Sequence, residues 1–272
     1  MLLSGAAWSF VGASLRESKD IYRALGVPAL DLLAIPGGLI DSTEIVANPA
    51  RAAAPIKELG VPVANLIYNF AADFKERALN HPDDEVRRRN LADFHSVVEY
   101  CLEAGIASVT VLPGVPQDGW SRQKYLDVAA EALNELASIG GRRGVPVFFE
   151  AHVWSILESP AETLAFLQAN PALKLTLDYA HFIWQGHSQA EIDLLAPYAG
   201  HVHLRQAAPR VLQARWADGM IDFASVVRVV RSSGYHGYFA LEYEHDPWFD
   251  NDRVDVVCET IRMRDVVRPA LA

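Results

Sequence analysis

The 272-residue chain is 51% hydrophobic and 21% charged, with a formal net charge of −10 and a sequence pI of about 5.3. Such a balance supports a sizeable core and repels polyanions, which argues against a disordered chain and against nucleic acid as the main partner. The two cysteines, Cys101 and Cys258, match neither a metal knuckle nor a disulfide framework, which fits a reducing, cytoplasmic setting; no apolar run approaches the roughly 18 residues of a membrane span.

The opening MLLSGAAWSF is apolar without a basic leader and reads as a first strand (2–9) rather than a signal peptide. Strand-like runs follow at 28–35 (PALDLLAI), 61–69 (VPVANLIYN), 108–112 (SVTVL), 145–150 (VPVFFE), 173–178 (LKLTLD), 201–205 (HVHLR) and 238–243 (YFALEY). Most are near-continuous apolar runs, the pattern of parallel strands buried on both faces. Helical spacing lies between them. The stretch 83–105 ends on Gly105, and its Arg87, Arg88 and Arg89, with acids one turn away, read as a solvated helix face. The stretch 121–140 has Ser121 as N-cap; 159–170 has Ser159 as cap, Pro160 first in the helix and Glu162 third; 222–234 has Asp222 as cap and Gly234 as stop. Gly-Val-Pro at 26–28, 60–62 and 144–146 marks helix-to-strand turns. Eight strand–helix units without a linker or composition step predict an α/β fold, a (β/α)8 TIM barrel, in one domain over residues 1–272. A doubly wound sheet is the alternative, but no Gly-x-Gly-x-x-Gly turn follows the first strand.

In such a barrel the chemistry belongs at the C-terminal strand ends. The fifth candidate strand ends in Glu150, the sixth in Asp178, the seventh carries His203 and the eighth Glu242. This oxygen-rich set on adjacent strands suits a divalent cation, Mn²⁺ or Mg²⁺ before Co²⁺ or Zn²⁺, because like charges crowded there repel unless a cation neutralises them. His201 and His203 share a strand face; His203, nearer the rim, is assigned to the metal and His201, a layer deeper, to a structural or supporting role. In EAH (150–152) and EYE (242–244) the first acid is taken as ligand, with His152 and Glu244 further out; the opposite registers stay open. His181, three residues beyond Asp178, is placed for substrate contact or acid–base work. Trp8 ends the first strand, and Trp120, Trp154, Trp184, Trp216 and Trp248 fall in the loops after strands four to eight, so all six map to the same rim. Trp8, Trp154 and Trp184 join His152 as candidate substrate contacts. Arg210 and Arg215, after the seventh strand, are either ligands for a substrate oxygen or solvated loop residues.

FFEAH, LTLDYAH, HVHLRQ, DGMIDF and GYFALEYEH together resemble the sugar-isomerase/epimerase superfamily of xylose isomerase-like barrels over about residues 145–245; the earlier half is similar only in architecture. By that resemblance Glu150, Asp178, His203 and Glu242 match metal ligands, His181 matches the histidine after the metal aspartate, and Glu150 and Glu242 exchange the proton. Arg210 lies nearest to the arginine that follows the metal histidine in ketose epimerases. Two positions depart: Arg205-Gln206 stands where lysine–aspartate is common, and Ile156 where epimerases often carry another glutamate. The resemblance implies a divalent-metal-dependent isomerase or epimerase that abstracts the proton α to the carbonyl of a sugar-like substrate through a metal-stabilised enediolate. A lyase or dehydratase of a keto-sugar, keto-glycoside or inosose, with His181 as acid, is the first alternative and a non-catalytic sugar-binding barrel the second. The expected partner is a small sugar-like molecule, with neither nucleic acid nor membrane, and a homo-oligomer is compatible. The abasic-site endonuclease branch is set aside, since the candidate strands before residue 145 contain no histidine.

Overall fold

The computed structural model describes residues 2–271. Its strands are β1 (Leu2–Ala6), β2 (Ala29–Ile35), β3 (Ile40–Asp41), β4 (Val63–Tyr68), β5 (Val109–Val111), β6 (Val147–Glu150), β7 (Leu175–Asp178), β8 (Ala199–Leu204) and β9 (Tyr238–Leu241). They lie in the order β1-β9-β8-β7-β6-β5-β4-β2-β3, and β2 also pairs with β1. All of these pairings are parallel. Eight strands therefore close a barrel, with the two-residue β3 beside β2. The eight expected strands correspond one to one, seven of them trimmed at their ends, whereas β8 begins two residues before the expected 201, at Ala199.

The helices are α1 (Leu15–Ala24), α2 (Ser42–Ala47), α3 (Pro49–Leu59), α4 (Asp84–Ala104), α5 (Arg122–Gly141), α6 (Pro160–Ala169), α7 (Tyr179–Gln185), α8 (Gln189–Asp193), α9 (Phe223–Ser232) and α10 (Val256–Leu271). The expected caps form: Ser121 accepts from the Lys124 N–H, Ser159 from Glu162 and Asp222 from Ser225. Each supplies an acceptor to a helix N–H that has no partner within its own helix. The glycines of the three Gly-Val-Pro turns, Gly26, Gly60 and Gly144, all adopt left-handed backbone. On α4, Arg87 pairs with Asp84, Arg88 with Glu85 and Arg89 with Asp93, an acid-compensated helix face. Among the described residues no helix is long and apolar enough to cross a membrane.

Strand alternation sorts side chains between two environments. On β2, Leu30, Leu32 and Ala34 join the apolar shell under the helices, whereas Asp31 turns into the barrel and Leu33 and Ile35 line the cavity at its mouth. On β8, Val202 and Leu204 take the shell, leaving His201 and His203 inside. The interior of the barrel thus takes the buried charges among the described residues, apart from Glu259 on α10.

One expected boundary moves. Helix α5 runs past Gly140 to Gly141, and the left-handed stop is Gly144. Gly140 serves close approach: a Cβ there would collide with the Val145 carbonyl oxygen and lie 2.6 Å from Val147 Cγ2. Helix propensity alone would make Gly140→Ala stabilising by about 1 kcal/mol. Overpacking against a fixed carbonyl reverses the sign, and urea unfolding is expected to show a net loss of about 1–3 kcal/mol. A stabilised variant would contradict this packing.

Candidate active site

The C-terminal strand ends surround a cavity of about 380 Å³. Glu150, His152, His181, Arg205, Glu242 and Glu244 line one side, and the other side is largely apolar.

His203, fully buried, sits behind the charged side, against its Glu150 and Glu242. The β7–β8 register puts it opposite Asp178, and the β8–β9 register opposite Ala240, two residues before Glu242. Its Nδ1 lies 3.0 Å from Glu150 Oε1 and 3.2 Å from Glu242 Oε2, and its Nε2 lies 3.6 Å from Asp31 Oδ2. These approaches are close, yet Glu150 Oε1, Glu242 Oε2 and both ring nitrogens are buried with no aligned hydrogen-bond partner. Burial disfavours a charged imidazole, but the Glu242, Asp31 and Glu150 carboxylates push the His203 pKa well above the usual histidine value. One layer deeper, the His201 Nε2–H donates to Asp31 Oδ2 at 2.5 Å. Burial opposes the ionised Asp31, yet His201 and His203 hold its pKa below the ordinary carboxylate range.

Arg205 continues the same face of β8 just beyond its last residue. Its Nη2 reaches Asp178 Oδ2 and its Nη1 reaches Glu244 Oε1, both at 3.1 Å, and its Nε lies 4.0 Å from Glu242 Oε2. Asp178 also accepts from the Ala180 N–H at 2.8 Å, capping α7. Burial outweighs the Arg205 charge and pushes both Asp178 and Glu244 up to about 7. Glu244 accepts from Asn251 Nδ2 at 2.7 Å, and its backbone is bracketed by the Gln213 amide. His181 accepts the Val153 N–H at Nδ1 (3.3 Å), and its Nε2 faces Asp178 Oδ2 at 3.4 Å beside Arg205. Burial, together with His152 and Arg205, pushes the His181 pKa well below its ordinary value, so the ring is neutral.

Among the described residues, two groups of three potential ligand side chains bring one ligand atom each within 4.8 Å of one another: Asp31–His201–His203 and Glu150–His152–His181. The expected quartet is therefore split in this structure. Glu150, His203 and Glu242 converge, while Asp178 is held through Arg205.

The aromatic and arginine expectations divide. Trp8 lines the cavity and meets His203 edge-on at 6.4 Å; Trp248 lines it too, stacked on His152 at 5.4 Å. Trp154 and Trp184 do not line it: Trp154 packs on Trp248 and Phe249, and Trp184 on Phe249, as an outer aromatic layer. Arg210 lies over the Trp184 ring at 4.8 Å, and Arg215 pairs with Asp218 at 2.6 Å with 65% of its side chain exposed. Both arginines are spent outside the cavity, and Arg205 is the arginine that lines it. Sequence reading missed Asp31, although one acid inside an otherwise apolar strand is itself a signal, since buried acids are rare unless paired. It noted Arg205 only as a departure from the family pattern. Gln206, the other departure, is tied to the backbone of Ile221 by both ends of its amide.

A family profile described as xylose isomerase-like TIM barrel matches residues 20–264. The inosose dehydratase of Histophilus somni is 26% identical over 145 residues, which are 45% of this chain and 49% of that protein, so the match spans about half the relative's length. Among solved structures, D-psicose 3-epimerase from Clostridium cellulolyticum H10, determined with D-tagatose, superposes with a TM-score of 0.77 at 16% identity, covering 100% of this chain and 99% of that one. The IolI protein with a bound zinc atom superposes with a TM-score of 0.74 at 15% identity, covering 99% of each chain. Sugar epimerases and an inosose dehydratase are thus among the proteins this chain is similar to.

Arg205 neutralises two buried carboxylates, so Arg205→Met should cost the metal-free protein about 3–5 kcal/mol in urea unfolding near neutral pH. The cost should shrink in acid, where Asp178 and Glu244 take up protons and no longer need the cation. A loss below about 1 kcal/mol at neutral pH would show that the guanidinium is not what holds these acids.

Proposed function

This chain belongs to the xylose isomerase-like TIM barrel family, and we propose that it is a divalent-metal-dependent enzyme that moves the proton α to the carbonyl of a sugar-like substrate, as an isomerase or epimerase. One observation carries the reading: Glu150 Oε1, Glu242 Oε2 and His203 Nδ1 converge within 3.2 Å of the imidazole nitrogen, buried and unpartnered, at the charged side of the cavity. In the metal-free chain the carboxylates favour a protonated His203; a divalent cation would take over that positive charge, leaving a neutral imidazole and two carboxylates free to ligate it. Glu150, His203 and Glu242 would hold the ion, with Asp178 joining from the neighbouring strand; Mn²⁺ or Mg²⁺ suits this donor set, and Zn²⁺ is supported by the zinc-bearing structural neighbour. When bound, the ion supplies positive charge for a carbonyl oxygen and for the negative charge that develops on proton loss.

The protein's own groups carry the proton. Glu150 and Glu242 reach the cavity from β6 and from just beyond β9, so one carboxylate takes the α proton and the other returns it to a different carbon or face. Burial opposes ionisation of Glu242, but His203 and Arg205 hold its pKa below the usual value, keeping it in the proton-accepting form. Asp31 and His201 support His203 from below. Trp8 and Trp248 restrict water above. A second reading, a lyase or dehydratase, rests on His181, which lines the cavity beside Arg205; its ring, neutral in the free protein, would have to take up a proton, such as the one abstracted from the substrate, before passing it to a leaving group. That reading shares the proton abstraction and differs in the fate of the electron pair.

NMR in D₂O with a panel of ketoses, inososes and keto-glycosides tests the shared step. Glu150→Gln and Glu242→Gln should each slow α-proton exchange by about 10²–10⁴, a typical range for loss of a general acid or base. His181→Ala should leave most exchange but abolish product formation if the enzyme is a lyase. Wild-type exchange in both glutamine variants, at saturating metal, would overturn the mechanism.

A further inference from the structure

The cavity has two chemically different walls. Strands β6 to β9 supply its charges, whereas the side built by β1, β2, β4 and β5 presents Trp8, Leu33, Ile35, Ile67 and Leu112. Among the described residues Asn69 is the one polar side chain on that side. The apolar surface does not stop at the cavity edge. A second cavity of about 610 Å³ shares Trp8, Leu33 and Ile35 with the first and continues past Phe10, Val11 and Leu39; its lining also includes Ser14 and Glu17, which bond each other in the cap of α1. Val11 is 68% and Leu39 58% exposed, so the groove opens to solvent.

This asymmetry constrains what fits. A fully hydroxylated chain laid across both walls would lose water on the apolar side without gaining hydrogen bonds. An apolar ring there would gain contact with the Trp8 face and the aliphatic side chains. A phosphate is disfavoured: Glu150, Glu242, Glu244 and Asp246 line the cavity, and Arg205, the one lysine or arginine among its described lining residues, is already held by Asp178 and Glu244.

We propose that the substrate is an unphosphorylated sugar-like carbonyl compound carrying an apolar, ring-sized substituent. The sugar faces the charged wall, and the substituent lies over Trp8, Leu33 and Ile35 toward the groove beyond. This rests on the enolising site described above for the sugar end. The substituent end rests on the apolar wall alone.

The test is titration calorimetry of the metal-supplemented full chain with phenyl and methyl 3-keto-β-D-glucosides and with a ketopentose phosphate, with α-proton exchange in D₂O followed by NMR. The phenyl glycoside should bind about tenfold tighter than the methyl glycoside or better, and both should bind tighter than the phosphate. Leu33→Asn should bring the phenyl-to-methyl ratio toward unity, and Leu33→Met, which keeps the wall apolar, should retain it. Equal affinity of the two glycosides with exchange intact would overturn the substrate class and leave the enolisation mechanism standing, as would preference for the phosphate. Phenyl preference without exchange on any probe would support the apolar subsite and overturn the mechanism instead. A concentration-dependent dimer that Val11→Ser/Leu39→Ser disperses, with equal binding of the two glycosides, would assign the groove to a second copy and overturn the proposal.

Discussion

The structure turns on buried negative charge. Asp31, Glu150, Asp178, Glu242 and Glu244 all approach His203 or Arg205 inside the barrel. Carboxylates taken out of water are tolerated only when paired, protonated or bound to a cation. The chain meets this in two ways. Deep in the barrel, Asp31 is paired with His201, while Asp178, level with His203, shares Arg205 with Glu244. Between the Asp31–His201 pair and the Arg205 guanidinium, Glu150, His203 and Glu242 lie together without aligned partners, and that middle layer is where the chemistry is proposed.

Barrel closure makes the layering possible. Parallel register sets Asp178 beside His203 and Thr176 beside His201, so residues two apart on a strand fall in successive layers of the interior. The alternating residues in between carry the apolar shell against the helices. A shift of one residue in β8 would exchange Val202 for His203 and remove the imidazole from both Glu150 and Glu242. The site therefore depends on strand register more than on any loop.

Much of this was legible in the sequence, for reasons that can be named. The eight strands announced themselves as apolar runs, and the helices at 84–104, 122–141, 160–169 and 223–232 through their caps and spacing. Glu150, His203 and Glu242 were legible because each is a ligand-type residue at a strand end. Asp31 was not, because it sits mid-strand and its partner is 170 residues away. Arg205 was passed over because an arginine after a strand is ordinarily solvent-seeking, and only the folded barrel shows three acids around it. Arg210 and Arg215 illustrate the converse: loop proximity placed them near the rim, but Trp184 and Asp218 engage them outside the cavity.

The central claim is that the middle layer is a cation site built from Glu150, His203 and Glu242, completed by Asp178. Crystals grown with Mn²⁺ and measured at the manganese absorption edge test it directly. The account predicts one anomalous peak per chain, ligated by these four residues, with Asp178 shared with or released from Arg205. An anomalous map with no peak there, or with the ion on the Glu150–His152–His181 or Asp31–His201 grouping instead, would contradict it.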